Sequence, residues 1–303
     1  MRQKITCNSH RQIKWLFLST LVLAGMLASA ALVTAKDNPV AESRFTTLDG
    51  ARIHYVNYGK GGAALVLVHG WTSNLEFWNA QMSELAKRNR LIAIDLPGHG
   101  LSDKPEITYN MDLFARAVDA VLRDAKVKRA VLVGHSMGTP VIRQFYRKYP
   151  EKTLALVIVD GALRPFGNKA IADQLLAGFR SPNYKQVGEQ MLSMMSGPNL
   201  STADRERIKA SMLNTPQYVM TGAMEGMFDN SIWGLDKINV PVLAIMAKNP
   251  MYPAGMEQTY RDTAPNLDFQ MWDGVGHFLM MEKPKEFNAA VIAFLDKNKL
   301  LKK

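Results

Sequence analysis

From Ser43 onward one pattern recurs: short unbroken apolar runs separated by stretches of helical periodicity. The runs are Ala64–Val68, Leu91–Ile94, Ala130–Val133, Leu154–Val159 and Val240–Met246. Runs of this length, rich in Val, Ile and Leu, suit strands covered on both faces, and so a parallel sheet. Between them, Asn110–Lys126 carries Met111, Phe114, Ala115, Val118, Val121 and Leu122 at helical spacing. Met137–Tyr149 does the same with Val141, Ile142, Phe145 and Tyr146. Strand–helix alternation predicts an α/β fold with right-handed crossovers. Ahead of it, Arg44–Leu48 and Arg52–Tyr58 nearly alternate and are joined by Asp49-Gly50, the signal of a hairpin.

The rhythm breaks between Gly161 and Asn239, where no buried strand is evident. Seven methionines fall there (Met191, Met194, Met195, Met212, Met220, Met224 and Met227), punctuated by Pro182, Gly197-Pro198 and Pro216. A mainly helical insertion is expected over 161–239. It divides a core into residues 36–160 and 240–303. The rhythm then resumes with Val240–Met246, Pro253–Thr263, Asp268–Trp272 and Lys283–Lys297.

The net charge of +10 is concentrated at the ends. Arg2, Lys4, Arg11 and Lys14 precede an uncharged run from Trp15 to Ala35. A basic stretch, an apolar run and the small residues Ala28-Ser29-Ala30 and Val33-Thr34-Ala35 read as an export signal over residues 1–35. An uncleaved anchor helix is the alternative, since about 19 apolar residues can span a bilayer. Lys297, Lys299, Lys302 and Lys303 close the chain, where basic side chains suit a helix C-terminus. Removing those four and the four of the leader leaves about +2 on the rest. That is no electrostatic footprint for nucleic acid. The only cysteine, Cys7, lies ahead of the apolar run, so an exported chain would be held by its core rather than by disulfides.

Chemistry is carried by Gly134-His135-Ser136-Met137-Gly138, a G-x-S-x-G sequence between an apolar strand and an amphipathic helix. A serine on so sharp a turn needs small residues two positions either side, and its hydroxyl is lifted over a helix N-terminus. It also needs a base. Of six histidines, His277 lies in the pliable Asp273-Gly-Val-Gly loop between the last strand and the last helix, and is the expected base. His69-Gly70-Trp71 follows the strand Ala64–Val68. The backbone N–H groups of Trp71 and Met137 are the expected oxyanion donors.

Four separated segments resemble the α/β-hydrolase superfamily, specifically its capped, esterase-like serine hydrolases. They are the strand followed by His69-Gly70-Trp71, the run Asp95 to Ser102 (DLPGHGLS), Gly134–Gly138, and Gly276-His277-Phe278 with Glu282-Lys283-Pro284. The likeness covers about residues 43–297. It implies an eight-stranded, mostly parallel sheet with helices on both faces and a helical cap at 161–239. It implies Ser136 as nucleophile and His277 as base, with Asp95 and Ser102 in a structural loop. The acid departs from the common pattern. After the strand that follows the cap, Asn249 stands where an aspartate is usual. A minority of the superfamily carries the acid one strand earlier, where Asp160 lies. Asp160 is the favoured acid, Asn249 the alternative orienter and Asp273 a lesser candidate.

The implied reaction is hydrolysis of a small or medium apolar carboxylic ester through an acyl-enzyme, with no metal or cofactor. A serine in place of a carboxylate nucleophile argues against epoxide hydrolysis and haloalkane dehalogenation. Lactonase, carbon–carbon hydrolase and cofactor-free perhydrolase chemistry fit the same residues. So does a weakly catalytic ligand-binding sensor of this fold. The cap methionines suit an adaptable apolar pocket, or equally a cap packed onto its core. The expected partner is a small apolar substrate, not nucleic acid, and a membrane only if the leader is retained.

Overall fold

The computed structural model describes residues 40–165, 169–249, 252 and 255–301. The export-leader reading of residues 1–35 lies outside them. Among the described residues no helix is long and apolar enough to cross a membrane.

The chain opens with β1 (Ala41–Leu48) and β2 (Ala51–Tyr58), paired antiparallel. Asp49 and Gly50 both take positive φ, +50° and +85°, as the expected two-residue turn requires. β1 starts three residues before the alternating pattern. Ala41, Glu42 and Ser43 are exposed and pair with Tyr58, Asn57 and Val56, so burial left no mark of them in the sequence.

Next come β3 (Ala63–Val68), the short helix α1 (Asn79–Leu85), β4 (Leu91–Ile94), α2 (Met111–Asp124), β5 (Arg129–His135), α3 (Gly138–Lys148) and β6 (Thr153–Val159). Four helices follow: α4 (Lys169–Arg180), α5 (Tyr184–Met195), α6 (Thr202–Asn214) and α7 (Gln217–Phe228). The sheet resumes with β7 (Val242–Ala247), α8 (Met256–Thr263) and β8 (Leu267–Trp272), and the chain ends in α9 (Leu279–Glu282) and α10 (Pro284–Lys297). The strands form one sheet in the order β1-β2-β4-β3-β5-β6-β7-β8. β2 meets β4 antiparallel, and every pairing from β4 to β8 is parallel. This is the α/β-hydrolase architecture expected from the sequence.

Nearly every residue of β3 to β7 is buried, which explains their continuous apolar runs. β8, at an edge, is only half-buried and correspondingly mixed in composition. The position where the strand order turns back, beside β3, gathers the loops after β3 and β5 at the carboxyl end of the sheet. Ligands of open α/β sheets bind at such a place.

A buried polar lock stiffens the loop after β4. Asp95 accepts from His54 Nδ1 (2.7 Å), Leu75 N–H (2.8 Å) and Leu101 N–H (3.0 Å). Ser102 Oγ donates to the Asp95 carbonyl (2.6 Å) and accepts from His54 N–H (2.8 Å). Burial opposes ionisation of Asp95, but the His54 hydrogen bond and the two amides outweigh it and hold the carboxyl below its ordinary value. Asp95 and Ser102 thus have a load-sharing role in the loop.

Candidate active site

Ser136 sits between β5 and α3 with φ +52°, a backbone region that non-glycine residues rarely adopt. Sterics explain the flanking glycines. A methyl group on Gly134 would run into the Gly138 carbonyl, and one on Gly138 would lie 2.5 Å from the Val68 carbonyl oxygen. The turn therefore closes only without those side chains, and it delivers Ser136 to the first turn of α3.

The loop after β3 packs directly against this turn: a methyl on Gly70 would lie 3.1 Å from Ser136 Cβ. Trp71 follows, its indole N–H donating to the Met220 carbonyl (2.8 Å) and its ring edge-on to Phe179 (4.8 Å between centroids). The Trp71 side chain is thus tied to the helices between β6 and β7. Its neighbour Thr72 has positive φ (+54°), and its carbonyl accepts from Ser211 Oγ on α6 (2.7 Å).

His277 lies after β8, and its Nδ1–H donates to Asp160 Oδ2 at 2.7 Å. Asp160, at the end of β6, is almost fully buried and also has positive φ (+42°). Its Oδ1 accepts the Ala247 N–H (2.8 Å), and its Oδ2 also accepts the Tyr252 hydroxyl (2.9 Å). Gly161 follows because any side chain there would collide with Thr139 Oγ1 of α3. The loop of His277 is held in turn: its N–H donates to the Met195 carbonyl at the end of α5 (2.9 Å), and Gly276 N–H donates to Glu282 Oε1 (2.9 Å).

The three acid candidates part company here. Asp160 reaches His277. Asn249 lies on an exposed turn after β7, its carbonyl accepting the Tyr252 N–H (3.0 Å). Asp273 is 80% exposed and paired with Lys248 (2.9 Å), whose hydrogen bond holds its carboxyl below the ordinary value.

His135 borders the same cavity as Ser136, but its ring is committed to the fold. Its Nε2–H donates to the His277 carbonyl (2.9 Å), and full burial pushes its pKa well below the ordinary value. It therefore stays a neutral spacer, with its ring centroid 4.7 Å from that of His277. His69 is likewise buried. Its Nδ1–H donates to the Gly70 carbonyl (2.7 Å), its Nε2 accepts Leu96 N–H (3.0 Å), and burial lowers its pKa.

Ser136 and His277 line one cavity of about 20 Å³ together with Trp71, Thr72, Met195, Ile208, Met212 and Phe278. That volume holds about one water. No charged side chain lines it unless His277 is protonated. A larger groove of about 840 Å³ lies between the β1–β2 turn and the start of α2 and contains none of these residues. Size alone would select the groove; chemistry selects the small cavity. Of the seven methionines singled out in the sequence, only Met195 and Met212 reach it. Met220 and Met224 are buried in packing, and Met194 is 72% exposed. Among the described residues no cluster of three or more His, Cys, Asp or Glu side chains is disposed to hold a metal ion.

The family model described as "alpha/beta hydrolase fold" matches residues 63–284. The chain belongs to the α/β-hydrolase family. Among its relatives is the dihydrolipoyllysine-residue acetyltransferase component of an acetoin cleaving system from Pseudomonas putida. The two are 29% identical over 79% of this chain, which spans only 65% of that relative's length. A 2-hydroxy-6-oxononadienedioate/2-hydroxy-6-oxononatrienedioate hydrolase from Burkholderia vietnamiensis is 28% identical, over 80% of this chain and 91% of its own. The solved structure of an N-acyl homoserine lactone degrading enzyme is 27% identical, with a TM-score of 0.73. It covers 83% of this chain and all of its own.

Sequence reasoning missed the hydroxyl of Tyr252 and the Met195 carbonyl. Neither had a local signal: both act through contacts between segments distant in the chain.

Proposed function

We propose that this protein is a serine hydrolase that cleaves small or medium apolar carboxylic esters through Ser136, His277 and Asp160. The observation that carries the reading is the meeting, in one uncharged cavity, of a serine on a strained turn and a histidine whose far nitrogen is bound by a buried carboxylate. Strain of this kind costs about 1–3 kcal/mol and gathers at functional sites.

In this mechanism Ser136 Oγ attacks the ester carbonyl and its proton passes to His277 Nε2. Asp160 stabilises the imidazolium and keeps the productive tautomer. The oxyanion is received by the Trp71 and Met137 N–H groups, next to the positive end of α3. The imidazolium protonates the departing alcohol, and water then releases the acid from the acyl-enzyme. The absence of charge in the lining, Met195, Ile208, Met212 and Phe278 included, favours neutral apolar acyl groups.

The likeness to a lactone-degrading enzyme favours a second reading, hydrolysis of a lactone by the same residues. Labelling with a fluorophosphonate probe tests the nucleophile: wild type labels and Ser136→Ala does not. A series of p-nitrophenyl esters of increasing acyl length, with acyl lactones alongside, separates the two substrate classes. Equal inertness of every ester and lactone, with no labelling, sinks both and leaves a ligand-binding sensor. We further propose export through the leader, for which the mass of the mature N-terminus is the test. Retention of residues 1–35 overturns cleavage.

A further inference from the structure

We propose that Tyr252 is a positioning residue of the acid–base pair: its hydroxyl fixes the Asp160 oxygen that binds His277 and limits how strongly Asp160 draws a proton onto the imidazole. This rests on the reading of Ser136, His277 and Asp160 as the catalytic set.

The geometry is specific. Asp160 Oδ2 serves two donors, His277 Nδ1 at 2.7 Å and Tyr252 Oη at 2.9 Å, while Oδ1 is taken by the Ala247 amide at 2.8 Å. The carboxylate is nearly solvent-free, so these bonds carry its solvation. Tyr252 comes from the loop after β7, the loop that in relatives with the common pattern bears the acid and here bears Asn249. Here that loop meets Asp160 through the phenol of Tyr252. Burial, then the charge and hydrogen bond of Asp160, push the Tyr252 phenol far above its ordinary value. It keeps its proton and can act on the carboxylate only as a donor.

The consequence has a definite sign. Each donor to a carboxylate spreads its charge and lowers its basicity. A carboxylate whose charge is shared among more donors draws a proton onto a bonded imidazole less strongly. Removing the hydroxyl concentrates charge on Oδ2, raises the affinity of His277 for a proton and moves the acid limb of activity upward. Other titratable groups face the pair from every side. Tyr260 of α8 feels the Asp160 charge and donates to the Gly161 carbonyl. His135 of β5 stacks near His277, His69 lies behind His135, and Glu282 of α9 binds the amide before His277. The two histidines are kept neutral by burial. None of the four donates to the Asp160 carboxylate, so Tyr252 is the side chain whose removal changes it directly.

The experiment is the pH profile of kcat/KM for a p-nitrophenyl ester with the full-length protein. Tyr252→Phe is expected to raise the acid-limb midpoint by about half to one pH unit, a part of the roughly one to two units that a full hydrogen bond to a charged group is worth. Plateau kcat should fall less than about tenfold, because the Ala247 amide still holds the carboxylate. Tyr252→Gln keeps a donor and should leave the midpoint nearer wild type. Tyr252→Leu, which also removes the donor, gives the same reading should the Phe protein be too unstable to assay. An unmoved or lowered midpoint, or equal shifts in the Phe and Gln proteins, overturns the proposal. Failure of the underlying reading looks different: wild type itself then neither labels at Ser136 nor turns over ester.

Discussion

Replacing Asp160 with asparagine tests the chemistry at its least visible point. The carboxylate oxygen Oδ2 faces two donors, His277 Nδ1–H and the Tyr252 hydroxyl, and Oδ1 faces the Ala247 amide. An amide at this position has one acceptor oxygen. If that oxygen stays with the Ala247 N–H, its NH₂ group confronts both other donors. His277 can then bond to residue 160 only by flipping to the tautomer that carries its proton on Nε2. A histidine with its proton there cannot take the proton of Ser136. The wrong tautomer in a triad costs about 10⁴ in kcat, equivalent to about 5.4 kcal/mol at 1.36 kcal/mol per tenfold. Asp160 does not line the cavity that holds Ser136 and His277, so KM should change little. The assay is kcat and KM for p-nitrophenyl acetate in Asp160→Asn and Asn249→Ala, with circular dichroism to confirm both fold. Asp160→Asn should collapse kcat and Asn249→Ala should stay within about threefold of wild type. An Asp160→Asn enzyme within tenfold of wild type refutes the reasoning, and a larger loss in Asn249→Ala would move the acid to the loop after β7.

Three further outcomes follow from the packing. Gly161→Ala drives a methyl into Thr139 Oγ1 and should destabilise the fold by about 1–3 kcal/mol, read from the urea midpoint; an unchanged midpoint contradicts the close contact. Met212→Ala opens the cavity wall beside Ser136 and should raise the ratio of kcat/KM for hexanoyl over acetyl ester by about tenfold; a constant ratio shows that α6 does not bound the acyl group. His69, His99 and His135 are all held below their ordinary pKa by burial, His99 at about 3. In each case the unfolded chain binds a proton that the folded one refuses. Stability present above about pH 6.5 should therefore be lost as pH falls towards the folded values, by up to about 1.4 kcal/mol per pH unit for each histidine. A urea midpoint that is flat between pH 7 and pH 5 refutes this.

Much of the fold was legible because burial writes itself into composition. β3 to β7 are covered on both faces and read as unbroken apolar runs, and the amphipathic faces of α2 and α3 read as helical spacing. Legibility failed where burial is slight. The first three residues of β1 are exposed, and α1 is only seven residues long. The helical insertion could be recognised from its lack of strands, but not the roles of its side chains. Of its methionines, two line the cavity and others only pack, a distinction that depends on which way each helix faces.

By itself the sequence determined the serine turn, because the sterics of that turn demand glycines at 134 and 138, and it singled out His277 by its loop. It favoured Asp160 but left Asn249 and Asp273 open, since nothing along the chain shows which of the three loops meets the histidine. Only the tertiary structure decided which meets the histidine. β6 and β7 lie side by side in the sheet, so the end of one delivers Asp160 and the end of the other its amide and its tyrosine. Hydrogen bonds between residues about 90 to 120 positions apart leave no local pattern, and closing them is the work of the fold.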